Sequence, residues 1–201
     1  MDILPKCSES IEKLEAIKKG VVIQSGISYT SQDARMVALD SLQISISSLG
    51  MWINTVNALA NSHIAGDCLN EKGFLKSVGS GLDIEQTEKI MFDFLRFGFM
   101  TLVHFNLDNL FHNILRQLNA LPQKQGYWNL TDQILDQCSL SKTGREKKLL
   151  TAFANLRNSL HGNGIHKTEP LNIQINDISF NFIKGKRIEC ASWKHIVLLL
   201  D

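Results

Sequence analysis

The sequence lacks several features that assign a chain directly to a functional class. Its four cysteines lie far apart, with no CxxC pair and no spacing typical of a zinc site. Its formal net charge is only +1, so no global electrostatic field attracts nucleic acid. It contains no internal repeat and no low-complexity tract. These absences lead us to expect neither a bound metal ion nor a cofactor.

Long hydrophobic runs and a secretory signal are also missing. The longest uncharged apolar stretch in the middle of the chain, 97–107, is far shorter than a bilayer span and includes His104 and Asn106. The first residues have neither the basic start nor the apolar run of a signal peptide. Together with the scattered cysteines, this predicts reduced thiols in a cytoplasmic protein with no membrane partner.

What remains is an ordinary globular composition, with 44% hydrophobic and 20% charged residues in a chain of 201. That is enough for one domain with a buried core. Charge is divided unevenly, since residues 1–140 carry 11 Lys+Arg and 15 Asp+Glu, whereas residues 141–201 carry 10 and 5. The basic last third is a mild indication of an anionic ligand, and a solvated charged face is the commoner explanation.

Apolar residues recur at three- and four-residue spacing through most of the chain, which predicts amphipathic helices. The predicted helices cover 8–19, the segment from a cap at Thr30 or Ser31 to about Ile64, 84–118 after a cap at Asp83, 129–138 from a cap near Asn129, and 145–161. Gly20 is expected to end the first helix. The third carries apolar residues on more than one face, so we expect it to be central, with its phenylalanines in the core.

The periodicity changes after Pro170. Segments 171–175 and 178–183 alternate apolar and polar residues, and a turn then leads into 187–190. This predicts an antiparallel hairpin or meander with one apolar face against the helices, followed by a short helix over 193–200. The predicted fold is mostly α, a helical bundle with a small C-terminal antiparallel β-hairpin. We expect one domain over 1–201, with 171–201 as a hairpin and terminal-helix appendage.

The most informative segment lies at the end of the predicted 145–161 helix. Arg157 and His161 are four residues apart and therefore share a helix face, and Asn158 follows the arginine. The Gly-Asn-Gly run at 162–164 favours the left-handed conformations that end helices. A cation, an amide and an imidazole beside a tight turn suit holding a phosphate and moving a proton. The alternative is that Arg157 and His161 only cap the last helix carbonyls.

This segment resembles the HEPN superfamily, over about eleven residues and with loose topological support from the helices before it. The resemblance implies a helical bundle that dimerises, with the arginine and histidine of both protomers facing one cleft. It also implies a metal-independent ribonuclease in which the RNA 2′-hydroxyl attacks the adjacent phosphate and leaves a 2′,3′-cyclic phosphate. The family usually has four to six residues between the two side chains; here three separate Arg157 from His161 and eight separate Arg157 from His166.

The chemistry of the side chains assigns roles within such a site. Arg157 would neutralise charge on the phosphorane, because guanidinium keeps its proton and offers a planar fork of donors. His161 would be the general acid or base, and a helix C-terminus tilts it toward the acid. Asn158 would orient a phosphate or the histidine. The remaining predicted substrate-binding residues are Asn163, His166 and Lys167. For Asn163, a left-handed turn is the commoner explanation.

The predicted partners are RNA, a second copy of the chain, and a cognate antitoxin or other partner in phage defence. The alternative is a non-catalytic, dimerising HEPN-like interaction module. Weaker candidates are Asp108 and His112, four residues apart, which we expect to form a polar stripe on a packed helix. His104 is expected to be a core or boundary histidine whose hydrogen bonds are satisfied, and Trp193 to pack the last helix on the bundle. Three basic residues at the predicted hairpin tip could touch an RNA backbone, and the solubility of a turn explains them equally well: Lys184, Lys186 and Arg187.

Overall fold

The computed structural model describes residues 3–25, 33–60 and 84–199. Within them the chain forms six helices and two strands. In chain order they are α1 (Ile3–Ser25), α2 (Ala34–Ala60), α3 (Ile84–Gln117), α4 (Tyr127–Gln137), α5 (Arg145–His161), β1 (Leu171–Ile175), β2 (Ile178–Phe182) and α6 (Trp193–Leu198). The predicted fold class, a mostly α bundle with a small C-terminal antiparallel hairpin, is confirmed.

The first helix is longer than the 8–19 segment predicted. It holds Pro5 in its first turn, where the missing N–H would have no helical partner in any case, and it continues through Gly20. The prediction that Gly20 ends this helix is therefore wrong. A glycine inside a helix costs about 1 kcal/mol, and the packing of α1 along α2 outweighs that local cost.

The other helix boundaries agree with the prediction to within two residues wherever they can be compared. The carboxylate of Asp33 accepts a hydrogen bond from the backbone N–H of Arg35 at 2.9 Å and caps α2. α4 begins two residues before the predicted start at Asn129. Four predicted boundary residues lie outside the described part of the chain: Thr30, Ser31, Ile64 and Asp83.

The β-hairpin and the helices share one hydrophobic core. β1 and β2 pair antiparallel, with Ile173 opposite Phe180, and the apolar side of the hairpin is buried against the bundle. The predicted return segment 187–190 does not form a third strand in the described residues. It makes a single bridge between Ile165 and Arg187, and the Ile188 N–H binds the carbonyl of the turn at Gly164 at 2.8 Å.

The central helix α3 leaves much of its apolar surface uncovered. Phe99 and Phe111 are buried, as predicted, but Phe94 is 75% exposed and Phe105 is 57% exposed. The prediction that the phenylalanines of this segment all lie in the core is therefore wrong for these two. A helix that is apolar on several faces can bury only those that meet α2, α4 and α5.

Two described helices are long and apolar enough to cross a membrane by length and composition: Arg35–Ala58 and Lys89–Gln117. The uncharged stretch 97–107 is shorter than the second of these segments because the charged residues Arg96 and Asp108 lie at its two ends. The core helix of a soluble protein passes the same test, so the finding is weak evidence for a membrane. Only 17% of the tested window in α3 is buried, which again identifies this helix as the one with uncovered apolar surface.

Candidate functional site

The end of α5 closes in a tight turn that fixes the direction of the chain. The Gly164 N–H reaches back to the Ser159 carbonyl at 2.9 Å, and Asn163 and Gly164 adopt φ values of 58° and 79°. Gly162 has an ordinary φ, but a Cβ there would lie 2.8 Å from the Ile165 carbonyl oxygen. The sequence reading of this segment as a helix stop therefore describes the local backbone correctly.

His161 lies on the face of α5 that meets α3. Its Nε2 is 3.3 Å from the Thr101 hydroxyl oxygen, and its ring centroid is 5.0 Å from that of Phe97. Thr101 and Phe97 are four residues apart and share one face of α3. The imidazole is exposed and keeps one edge toward solvent. It thus lies at the boundary between the two helices, which we call the α3–α5 groove, where a ligand can reach it.

Arg157 lies one turn before His161 on the same face. Its Nη1 donates a hydrogen bond to the Asn158 side-chain oxygen at 3.0 Å, and its Cζ is 5.9 Å from the centroid of the exposed Phe105 ring. Its Nε is buried and has no hydrogen-bond partner among the described residues. Asn158 therefore orients the arginine rather than His161, and the guanidinium retains unused donors.

His104 is the site residue that the sequence analysis did not assign to the site. Its ring stacks on Tyr127, with centroids 4.7 Å apart, and lies parallel to Phe153 at 6.1 Å. Its Nδ1 and the Tyr127 hydroxyl are both buried without a partner within the described chain. The prediction that the hydrogen bonds of His104 are satisfied is therefore wrong for Nδ1. The available signal was its spacing, because His104 is three and seven residues after Thr101 and Phe97, the two residues that contact His161.

The surroundings of both site histidines favour the neutral form of the imidazole. Partial burial lowers the pKa of His161, and the positive charge of Arg157 lowers it further. Burial also lowers the pKa of His104, with Arg157 as the next cause. The sequence had favoured a protonated, acid-acting His161 because a helix C-terminus attracts cations. In the structure these opposing causes prevail, so His161 is suited to accept a proton.

His166 lies on the other side of α5. Its side chain is 2% exposed, its Nδ1 is 3.2 Å from the Ser159 hydroxyl, and its Nε2 is 3.0 Å from both the Glu169 carbonyl and the Thr168 hydroxyl. Ser159 is two residues from both Arg157 and His161, which places it about 200° around the helix from each. The structure therefore does not bring His166 together with the Arg157 motif and gives it a role in joining α5 to the hairpin.

The other two predicted binding residues lie at the rim of the turn. Asn163 is exposed, and its left-handed backbone agrees with the turn explanation. Lys167 is exposed, and its Cε would lie 3.3 Å from a Cβ placed on Gly162. Both side chains can therefore approach a ligand at the end of α5, although within the described chain neither forms a hydrogen bond with Arg157 or His161.

Asp108 and His112 form the local pair that their spacing predicts. The His112 Nδ1 lies 3.0 Å from the Asp108 carbonyl and 3.5 Å from its carboxylate. The carboxylate also acts on the site, since its negative charge opposes the lowering of the His104 pKa. This pair extends the polar stripe of α3 by one turn beyond His104.

In the described residues, no group of three or more His, Cys, Asp or Glu side chains has an arrangement that could hold a metal ion. No protein-family model, curated protein or solved structure matches this chain. A functional assignment therefore depends on the geometry of the α3–α5 groove.

Proposed function

We propose that this protein is a metal-independent RNA endonuclease of HEPN type, with its site in the α3–α5 groove. The observation that supports the proposal is the convergence of Arg157, His161 and His104 where three buried polar atoms lack partners. Buried polar atoms in folded proteins are almost always hydrogen-bonded. A cluster of unpaired ones beside a half-buried guanidinium is typical of a site that a polar ligand completes.

Arg157 would bind the phosphate that is cleaved. Its Nη1 is held by Asn158 and its plane lies near the Phe105 ring, so the remaining donors have a fixed direction. Guanidinium can neutralise charge on the phosphorane without exchanging a proton. Because the group is already oriented and partly desolvated, it stabilises the transition state at little reorganisation cost.

His161 would act as the general base. Its lowered pKa keeps the imidazole neutral near pH 7, so it can take the proton from the 2′-hydroxyl. The 2′-oxygen then attacks phosphorus, the bond to the 5′-oxygen breaks, and that oxygen takes a proton from water. The products are a 2′,3′-cyclic phosphate and a 5′-hydroxyl. DNA lacks the nucleophile, which restricts the substrate to RNA.

The protein would act as a homodimer that joins two copies of the site. The exposed apolar side chains of α3 and α2 support this part of the proposal: Ile90, Phe94, Leu102, Phe105, Met51 and Trp52. Burying such side chains against a second copy is favourable, and two-fold dimers are the commonest soluble oligomers. Phe105 belongs to this surface and also approaches Arg157, so the two motifs would lie near the axis. The setting would be cytoplasmic toxin–antitoxin or antiviral defence, with a cognate antitoxin or defence protein as partner.

The test is cleavage of single-stranded and structured RNAs in EDTA, with analysis of the ends produced. Arg157→Ala should lower the rate about 10²- to 10³-fold, the effect of one lost transition-state donor. Arg157→Lys should lower the rate almost as much as Arg157→Ala, because an ammonium group lacks the planar fork of donors. Arg145→Ala, at the opposite end of α5, is the matched control and should cleave normally. Absence of cleavage of every RNA tried, or equal cleavage by Arg157→Ala, would contradict the proposal.

The second candidate function is a non-catalytic dimerising interaction module. The same exposed side chains favour it, because they explain a dimer without any chemistry in the groove. Both candidate functions include the dimer, and sedimentation of the wild type and of Phe94→Ser tests it. A dimer that forms through this surface should be weaker in the variant. A stable dimer that cleaves no RNA, and whose association is unaffected by Arg157→Ala, would favour the module over the nuclease.

A further inference from the structure

Two neighbouring cavities run along the N-terminal half of α3. The first, about 400 Å³, lies between α2, α3 and α6 and is lined in part by Lys89, Phe92 and Trp193. The second, about 290 Å³, lies between α3 and the turn after α5. Asp93 and Arg96 line both cavities, so the two cavities adjoin each other at this ion pair, and together we call them the α3 cleft.

One wall of the α3 cleft is aromatic. Phe92 and Trp193 meet edge to face, with ring centroids 6.4 Å apart and planes at 83°. Both rings are partly buried against the core and line the first cavity, so the core holds them in place. An indole ring fixed at the wall of an open cavity is a surface on which a planar, uncharged ring such as a nucleobase can stack.

The ends of the α3 cleft are basic. Lys89 is exposed in the first cavity and Arg187 is exposed in the second. The Arg187 side chain lies over Gly164, where a Cβ would be 3.4 Å from its Nε. Between these ends, Arg96 pairs with Asp93 and donates a hydrogen bond to the Ala191 carbonyl at 2.8 Å. Glu189 is the remaining charge in the lining, so the net charge of the cleft is positive.

The α3 cleft lies next to the groove that holds His161. Leu160 and Asn163, which flank the end of α5 on either side of His161, line the second cavity. Phe97, the residue after Arg96, contacts the His161 ring. Lys89 and Thr101 are 12 positions apart on one helix, which at about 1.5 Å per residue is about 18 Å. That length accommodates about five stacked nucleotides at roughly 3.4 Å each.

We propose that the α3 cleft binds single-stranded RNA and guides it to the Arg157–His161 groove. A base stacks on Trp193, and Lys89 and Arg187 contact phosphates on either side of it. An aromatic platform between separated cations matches the way proteins hold single strands without reading their sequence. A duplex would hide the base faces that Trp193 needs. The inference rests on the proposed nuclease function and adds the strandedness and minimum length of its substrate.

The experiment measures binding, so that it does not depend on cleavage. The probe is a fluorescein-labelled 2′-O-methyl RNA of about ten nucleotides, which cannot be cleaved by its own 2′-oxygen. Fluorescence anisotropy gives the Kd of the full chain over a range of salt concentrations. The variants are Lys89→Gln, Arg187→Gln and Trp193→Leu. Lys194→Gln and Lys148→Gln are charge-matched controls, because Lys194 neighbours Trp193 in sequence, Lys148 is exposed on α5, and neither lysine lines a cavity.

Each cleft cation variant should weaken binding several-fold and reduce the salt slope by about 0.7, whereas the two controls should bind like the wild type. Trp193→Leu should weaken binding about tenfold or more. Because Trp193 packs on the core, Trp193→Phe is measured beside it and should bind nearly normally. Circular dichroism checks that each variant is folded. Probes shorter than about five nucleotides should bind progressively more weakly.

Several outcomes would overturn the inference. In the first, the wild type does not bind the uncleavable strand. In the second, it binds a duplex of the same sequence with equal affinity. In the third, the cleft variants and the matched controls lose the same amount of affinity. Loss of binding only in Arg157→Ala, with the cleft variants unaffected, would also overturn it. If the cleft variants lose binding while no RNA is cleaved by the wild type, the cleft proposal stands and the nuclease proposal fails.

Discussion

The histidines on the two sides of the end of α5 differ in burial and in hydrogen bonding. On the hairpin side, His166 is buried and both ring nitrogens have partners. On the α3 side, His161 is exposed with one contact at 3.3 Å, and its neighbour Arg157 has a buried Nε without a partner in the described chain. Satisfied polar groups hold structure together, whereas unsatisfied ones beside solvent leave binding capacity for a ligand.

The backbone around His166 explains why this side is closed. The His166 N–H donates to the Lys186 carbonyl at 3.0 Å, and its carbonyl accepts from the Gly185 N–H at 2.7 Å. The imidazole also lies 5.2 Å from the Phe182 ring, centroid to centroid. The residue therefore connects the end of α5 to the segment after the hairpin. No comparable backbone pairing joins α3 to α5, whose contact is made by side chains.

The largest expected effect is on the closed side. His166→Ala should lower the free energy of unfolding by about 2–4 kcal/mol, because it leaves a cavity and removes the partner of the buried Ser159 hydroxyl. The matched control is His161→Ala, which should change stability by no more than about 0.5 kcal/mol. Urea denaturation followed by circular dichroism measures both values. Equal destabilisation by the two substitutions would remove the contrast between the two sides.

The next effect concerns the turn that separates the two sides. Gly162→Ala should destabilise the protein by about 1–3 kcal/mol, because the new Cβ would lie 2.8 Å from a backbone oxygen that cannot move away easily. Gly126→Ala is the control, since a Cβ at this helix N-cap meets no atom within 4 Å. Thermal unfolding of both variants provides the measurement. A Gly162→Ala protein as stable as the control would mean that the turn adapts.

The sequence predicted the helices and strands on the two sides of α5 better than it predicted their arrangement in space. Helical spacing identified α3 and α5, and alternation after Pro170 identified β1 and β2, because each pattern is local. Arg157 and His161 share one face of α5 for the same reason. The assignment of His166 to the ligand side could not be tested locally, since the direction of the chain after Gly164 depends on pairing with residues about twenty positions later.

The same limit explains the role of His104. Its site position results from the stacking of α4 and the packing of α5 on α3, and neither Tyr127 nor Phe153 is close to it in sequence. The exposed Phe94 and Phe105 illustrate the converse. Their helical spacing indicates an apolar face, but spacing does not identify whether the partner of that face belongs to the same chain.

His104→Phe should separate stability from activity on the open side. Phenylalanine keeps the stack between Tyr127 and Phe153 and removes the unpaired buried Nδ1, so the free energy of unfolding should rise by about 1 kcal/mol. RNA cleavage should fall in the same protein, because the groove loses a polar group beside Arg157. Denaturant unfolding and the cleavage assay are run together. A variant that is destabilised by more than 1 kcal/mol would show that Nδ1 has a partner in solution.

The smallest expected effect is a pH dependence that originates on the open side. The folded-state pKa values of His104 and His161 lie below the ordinary value of 6.5, so the unfolded chain takes up protons first on acidification. Their contribution to stability is therefore complete above pH 6.5 and is lost as the pH falls toward their folded-state values. His195, packed on Phe180 at the hairpin, has a pKa lowered by burial and adds a background of the same sign.

Substitution identifies how much of that pH dependence belongs to the groove. His104→Phe should flatten the acid side of the stability curve, whereas Tyr127→Phe, which alters the same stack and keeps the imidazole, should retain its slope. Urea unfolding from pH 7.5 downward provides both curves. Identical slopes for the two variants would place the titration at His161 or His195 rather than at His104. A selective flattening would mean that the polar atoms left unpaired in the α3–α5 groove already influence the free protein, before any RNA is bound.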